Sequence, residues 1–279
     1  MLRQVPVSQI EAAVIEAIER SAYELPADYL RALSYAREQE HSPLGQSILL
    51  TLLENSAYAQ DQQIATCQDT GMAIIHMTLG QDVHLVGGDI NQALNSAVAR
   101  AYKDLRKSVV SDPLLRQNSG DNTPPIVSFQ IVPGSQVQIT VMMKGFGAEL
   151  MSRLRMFPPA AGVEGVKEFL LETVEKAGPN ACPPVIIGVG LGSSFDGVAA
   201  LAKKALLRPL GTSNPKPHLE KLEREWLEAV NNLGIGPQGF GGTFTALAVH
   251  IESYPTHIAA LPAAVNLNCS APRRATVTI

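Results

Sequence analysis

Three thiols, Cys67, Cys182 and Cys269, are all the cysteine that the 279-residue chain contains. An odd number cannot be used up by pairing within one chain, so they are either packing groups or ligands. No two stand at a Cys-x-x-Cys spacing, which leaves zinc-finger and thioredoxin-type readings without support. Their neighbours favour ligation. Cys67 lies in Thr66-Cys67-Gln68-Asp69-Thr70-Gly71, between two apolar runs, and Cys182 lies in Gly178-Pro179-Asn180-Ala181-Cys182-Pro183-Pro184, directly before an apolar strand. Cys269 ends the strand-like Asn266-Leu267-Asn268-Cys269. Thiolates carried on rigid turns at strand ends are held where a metal can reach them, and nearby backbone N–H groups stabilise their charge. The three are far apart in the chain, so a shared site has to be assembled by the fold.

Three further segments crowd hydrogen-bonding side chains among Gly and Pro: Asn118-Ser119-Gly120-Asp121-Asn122-Thr123-Pro124-Pro125, Lys144-Gly145-Phe146-Gly147-Ala148-Glu149, and the run from Gly234 to Thr243. Ordinary tight turns account for any one of them taken alone. None matches a Gly-x-Gly-x-x-Gly turn after a strand or a phosphate-binding loop, which argues against nucleotide binding. The formal charge of −4 gives no general attraction to phosphate backbones or anionic lipid, so neither nucleic acid nor membrane is expected as a partner. An anionic ligand has to be held by local basic groups.

The elements that must position these groups are read from periodicity. Apolar Val7, Ile10, Val14, Ile15 and Ile18 recur at helical spacing, a second helix opens at Pro26, and a third opens at Ser42 and Pro43. Residues 1–60 are therefore a helical opening region. Residues 73–78 read as a buried strand and residues 89–106 as an amphipathic helix; residues 126–132 and 137–143 flank Pro133-Gly134-Ser135 and predict a hairpin. Helices are expected near 163–177, 194–207 and 215–233, and strands at 185–189, 245–251 and 263–267. The class is α/β, with mixed sheets flanked by helices and a helical N-terminal region. One large domain over residues 1–279, or two closely packed lobes, is expected. The first residues alternate apolar and charged positions, and no run approaches the roughly 18 apolar residues of a membrane span, so the expected location is cytoplasmic.

Taken in order, CQDTG, NSGDNTPP, KGFGAE, GPNACPPVIIGVG, LGIGPQGFGG and YPTHIAALPAAVNLNC resemble the alpha subunit of class I (iron–sulfur) fumarate hydratases and L-tartrate dehydratases, and the N-terminal half of their single-chain members. The resemblance runs from Cys67 to Arg274. It implies a [4Fe–4S] cluster held by Cys67, Cys182 and Cys269, with one iron left open to act as a Lewis acid on a small dicarboxylate. It implies Asp69 and His257 as catalytic groups, the first taking the carbon-bound proton and the second binding a carboxylate or balancing negative charge. Gln68 and Arg106 are then the carboxylate contacts, and Gly145 and Gly147 let the backbone approach the ligand. A separate beta subunit completes the site, and a dimer of alpha–beta pairs is expected.

The chain departs from the family pattern at several points. Phe146, Ala148 and Leu150 replace a Gly, a Ser and an Asn of KGGGSEN, the sequence Gly241-Gly242-Thr243-Phe244-Thr245-Ala246 lacks a basic residue, and Ser270 stands where histidine is frequent. The implied reaction is reversible hydration of fumarate to malate. The alternatives are an L-tartrate dehydratase, or related hydroxy-dicarboxylate dehydratase, and a non-catalytic iron–sulfur or zinc-binding module.

Overall fold

In the computed structural model, which describes residues 2–279, the first half of the chain forms β1 (Arg3–Pro6), α1 (Val7–Tyr23), α2 (Ala27–Gln39), α3 (Pro43–Gln62), β2 (Met72–Gly80), β3 (Val83–Val86), α4 (Ile90–Ala101), β4 (Ile126–Val132) and β5 (Val137–Lys144). The second half forms α5 (Phe146–Glu149), β6 (Arg153–Phe157), α6 (Gly162–Ala177), β7 (Val185–Ser193), α7 (Phe195–Ala205), α8 (Pro217–Asn231), β8 (Ala246–Thr256), β9 (Leu261–Asn268) and β10 (Arg274–Thr278). The chain falls into two units. The first holds the residues up to Pro26, Ser56–Gly145 and Pro272–Ile279; the second holds Ala27–Asn55 and Phe146–Ala271. Helices and mixed sheets make the class α/β, as expected, although Arg3–Pro6 interrupts the helical opening with a short strand.

In the first unit a four-stranded sheet has the order β10-β5-β2-β4. Its core face is built by alternation: Ala73, Ile75 and Met77 of β2 and Ile139, Val141 and Met143 of β5 are all buried. Against them lie Ile10, Val14, Ala17 and Ile18 of α1 and Leu94, Ala97 and Val98 of α4, each spaced to share one helix face. Asp89, at the expected start of α4, caps it by accepting the Gln92 N–H at 2.9 Å, but the helix ends at Ala101, before the expected boundary at 106.

The expected hairpin between residues 126–132 and 137–143 does not form. β2 lies between them, parallel to β4 and antiparallel to β5. Pro133-Gly134-Ser135 instead arches over the end of β2, where the N–H groups of Gly80, Gln81 and Asp82 donate to the carbonyls of Gln136, Val132 and Gly134. Lying between β4 and β5, β2 satisfies both of its backbone edges this way, which a separate hairpin leaves open.

In the second unit the sheet order is β6-β9-β7-β8. The Gly alternation in β7 has a packing cause. Odd positions Val185, Ile187 and Val189 join Phe169, Leu170 and Trp226 in the core formed with α6 and α8. Even positions Gly188 and Gly190 face α7, whose carbonyls of Ala202 and Val198 would stand 2.2 Å from any added Cβ. Helix and strand backbones are therefore nearly in contact there. Among the described residues no helix is long and apolar enough to cross a membrane.

Candidate functional site

Within the first unit, Cys67, Gln68 and Asp69 occupy the loop that leads into β2. Gly71 ends this loop at φ +72°, and a Cβ there would lie 2.6 Å from the Lys144 carbonyl, so the close approach to the end of β5 needs glycine. The loop is also tied sideways. Thr70 Oγ1 donates to the Arg106 carbonyl at 2.5 Å, and the buried Asn122 amide donates to the Gly71 carbonyl at 3.1 Å. The same Asn122 accepts the N–H groups of Ser108 at 2.6 Å and Val109 at 3.1 Å. Cys67, Gln68 and Arg106 consequently line one open cleft of about 460 Å³ with Tyr23, Ile64 and Asp104. Asp69 is half-buried, its Oδ1 accepting the Gly71 N–H at 2.9 Å.

The role of the NSGDNTPP segment follows from these bonds: it supplies the fully buried Asn122 that racks the Arg106 segment against Gly71. Asn122→Ala removes one donor and one acceptor that together serve three backbone groups, those of Gly71 and Val109 buried and that of Ser108 part-buried. A loss of about 2–3 kcal/mol is expected in chemical denaturation. If the chain turns over a dicarboxylate, KM should rise more than kcat falls. An unchanged midpoint would show that water replaces the amide.

Within the second unit, Cys182 and Cys269 come to the same end of the sheet. Cys182 precedes β7 and Cys269 follows β9, and these strands are antiparallel neighbours with Ile186 opposite Asn268. The Ser270 N–H donates to the Cys182 carbonyl at 3.0 Å. Gln238 bridges the two turns, its side-chain amide donating to the Pro183 carbonyl at 2.7 Å and to Ser270 Oγ at 3.0 Å. Serine at 270, a departure from the family pattern, thus has a defined partner. Tyr29, fully buried, donates to the Ser270 carbonyl at 2.6 Å; burial holds its phenol well above the ordinary range, and the nearby Cys269 adds to that.

The Gly-rich loop that carries Gln238 is anchored by Glu40, whose carboxylate accepts the N–H groups of Thr243 at 2.9 Å and Phe244 at 3.1 Å. Burial alone would raise this carboxyl, but the N–H groups of Ser42, Thr243 and Phe244 outweigh it and hold it below the ordinary range. A depressed carboxyl stabilises the fold at pH values above its unfolded pKa, and this contribution is lost as pH falls through the folded value. Glu40→Gln is expected to lower Tm by roughly 4–8 °C at neutral pH, with the gap to wild type closing as the pH drops below the carboxylate range. A gap that is constant with pH in thermal melts would contradict this.

The remaining expected site residues divide. Gly147, in α5, abuts the Cys182 turn, since a Cβ on it would meet the Asn180 carbonyl at 3.4 Å. Gly145 is buried in the first unit beside Asp69. His257 sits exposed in the turn between β8 and β9, where its Nδ1 accepts the Ala259 N–H at 3.2 Å. It is therefore at the opposite end of the eight-residue β9 from Cys269, a strand of roughly 26 Å. Two buried cations escaped the sequence reading: Lys144 and Arg273, at 0% and 2% exposure. Lys144 was legible only as the lysine of a Gly-rich turn, and Arg273 only as half of an Arg-Arg pair.

Cys67, Cys182 and Cys269 take part in no disulfide. Among the described residues no three His, Cys, Asp or Glu side chains gather closely enough to hold a single ion. A cluster distributes its thiolates over several irons and does not require that.

The fumarate hydratase (Fumerase) family model matches residues 11–278. A putative L(+)-tartrate dehydratase subunit alpha of Methanocaldococcus jannaschii is 38% identical over 275 residues, covering 96% of each chain. The L(+)-tartrate dehydratase subunit alpha of Escherichia coli (strain K12) is 34% identical over 284 residues, covering 99% of this chain and 93% of its own. Matches that span nearly the whole of both chains place the motifs in their family context, and the chain belongs to the fumarate hydratase family of hydro-lyases.

Proposed function

We propose that the chain is the alpha subunit of an iron–sulfur hydro-lyase that adds or removes water on a four-carbon dicarboxylate, working with a separate beta subunit. The observation that carries this reading is the two-way, nearly full-length match to proteins named as alpha subunits of L(+)-tartrate dehydratase. It favours L(+)-tartrate, dehydrated to oxaloacetate. Fumarate hydration to malate is the second reading, favoured by the description of the family model.

The donor set fits a [4Fe–4S] cluster: three cysteines outside any disulfide, none fully buried, with Cys182 and Cys269 on neighbouring, hydrogen-bonded turns. The reading assigns Cys67 to the same cluster. When bound, the cluster supplies an iron with an open position, a Lewis acid for a substrate hydroxyl and carboxylate. Asp69 takes the proton from carbon and returns it in the reverse direction. Arg106 pairs with a substrate carboxylate through its planar fork, and Gln68 donates to one. Gly145 and Gly147 keep side chains away from the ligand.

The length of β9 keeps His257 from a site beside Cys269 of the same chain. In a dimer of alpha–beta pairs it binds a carboxylate in the site of the other pair. Co-expression of His257→Asn chains with Cys182→Ser chains is then expected to restore about a quarter of wild-type activity, because half the dimers carry one complete site. No recovery would remove His257 from the site.

The test of the whole reading is anaerobic reconstitution of the chain with its beta subunit, followed by assays with L(+)-tartrate, fumarate and malate. Bound iron without turnover of any of them would favour a non-catalytic iron–sulfur module. Full turnover by the alpha chain alone would contradict the two-subunit assignment.

A further inference from the structure

β4 is an outer strand of the first unit's sheet, with β2 as its one strand neighbour. The two pair in one unbroken register, from Ile126 opposite Ile74 to Val132 opposite Gly80. Val127, Phe129 and Ile131 stand opposite Ile75, Met77 and Leu79, so they carry the core face of β2 outward by one strand. Cover gives out there: Ile75 and Met77 are fully buried, whereas Phe129 is 48% and Ile131 72% exposed.

An open edge of this kind templates pairing with another chain, and folded proteins guard it with a charge, a proline, a bulge or a covering segment. The seven residues of β4, Ile126-Val127-Ser128-Phe129-Gln130-Ile131-Val132, carry no charge, and Pro124, Pro125 and Pro133 stand outside them. The other outer strand, β10, is guarded: the Arg20 guanidinium donates to the Thr276 carbonyl at 2.8 Å, and Arg274 adds a charge to the strand itself. The order of residue types in β4 says what its partner is. From either end it runs apolar, apolar, polar, aromatic, polar, apolar, apolar. Paired antiparallel with itself about a two-fold axis at Phe129, it sets Val127 opposite Ile131, Ser128 opposite Gln130 and Ile126 opposite Val132. Every residue then meets its own kind, and no like charges are opposed. A strand shaped for a different partner has no need of that symmetry.

We propose that β4 is a contact between two copies of this chain, joined antiparallel about a two-fold axis at Phe129 into one continuous sheet. This rests on the dimer of alpha–beta pairs in the reading above and assigns it a surface. The paired strands span about 23 Å, give each other's open backbone edge its hydrogen-bond partners, and lay Phe129 and Ile131 of one copy beside Phe129 and Val127 of the other. Because β10 is guarded, the assembly closes at two copies and does not grow by further edge pairing.

The experiment uses the reconstituted alpha–beta enzyme and has two arms. Sedimentation velocity over a concentration series compares wild type with Phe129→Lys, which sets two ammonium groups against each other at the axis, and with Ile131→Lys, at the more exposed position. Both are expected to raise the Kd for association of two alpha–beta pairs by at least about 10-fold, with the pair itself and its iron content unchanged. In the second arm p-benzoylphenylalanine is placed at position 129 and irradiated; the expected product, read by mass spectrometry, joins two alpha chains within residues 127–131 of the second copy. Association that persists in both lysine variants would overturn the proposal, as would a cross-link from position 129 to the beta subunit or none to a second alpha chain. A wild-type enzyme that sediments as a single alpha–beta pair would instead remove the dimer from the reading above, and this surface with it. Should a lysine variant fail to fold, the cross-link decides alone.

Discussion

Replacing Cys182 by Ser is expected to leave a folded chain that takes up far less than about four irons on anaerobic reconstitution and has no measurable hydro-lyase activity. Cys182 is exposed, and its φ of +52° is a cost that serine pays equally. Its carbonyl keeps the Ser270 N–H whatever the side chain is, so the turn before β7 has no reason to rearrange. Cys67→Ser and Cys269→Ser are expected to behave alike, whereas packing cysteines would show a stability loss and no change in iron. Iron, sulfide and electron paramagnetic resonance measurements on all three variants check the assignment. A full cluster with normal turnover in any one of them would falsify that cysteine's role.

Asp69→Asn is expected to lower kcat by about 10²- to 10⁴-fold while KM and iron content stay close to wild type. Asn retains an oxygen that can accept the Gly71 N–H, now 2.9 Å from Oδ1, while the base is lost. Arg106→Ala should show the complementary pattern, with KM rising strongly and kcat falling less, because it deletes a carboxylate anchor at the rim of the cleft. An Asp69→Asn protein whose activity falls only in step with its iron content would make Asp69 a brace for Cys67, without a part in proton transfer.

The parts of the fold legible in the sequence are those fixed by local chemistry. Asp89 announces α4 because its carboxylate caps the first turn, and Val185, Ile187 and Val189 announce a buried strand because the alternation is a property of that strand alone. The hairpin was misread for the opposite reason: a turn-rich Pro133-Gly134-Ser135 says that the chain reverses, but only β2, remote in sequence, decides that the reversal straddles a third strand. β1, β3, β6 and β10 are four or five residues long and of mixed polarity, too short for a period to show. In the site, the three thiols and Asp69 could be singled out by residue type and turn context. Arg273 could not, because Arg274 beside it has the same chemistry and only tertiary packing buries the first of the two.

The last strand has a bearing on how the protein is made. β10 supplies the outer edge of the first unit's sheet, pairing Thr278 with Gln138 and Arg274 with Met142. On the ribosome, β5 is complete long before that partner has been synthesised, and every residue of the second unit's sheet is translated in between. A nascent β5 therefore waits with an open backbone edge beside apolar Ile139 and Val141, the kind of surface that invites pairing with other chains or capture by a holdase chaperone. Until β10 is added, the second unit's sheet is complete while the first unit's sheet still has an open edge at β5.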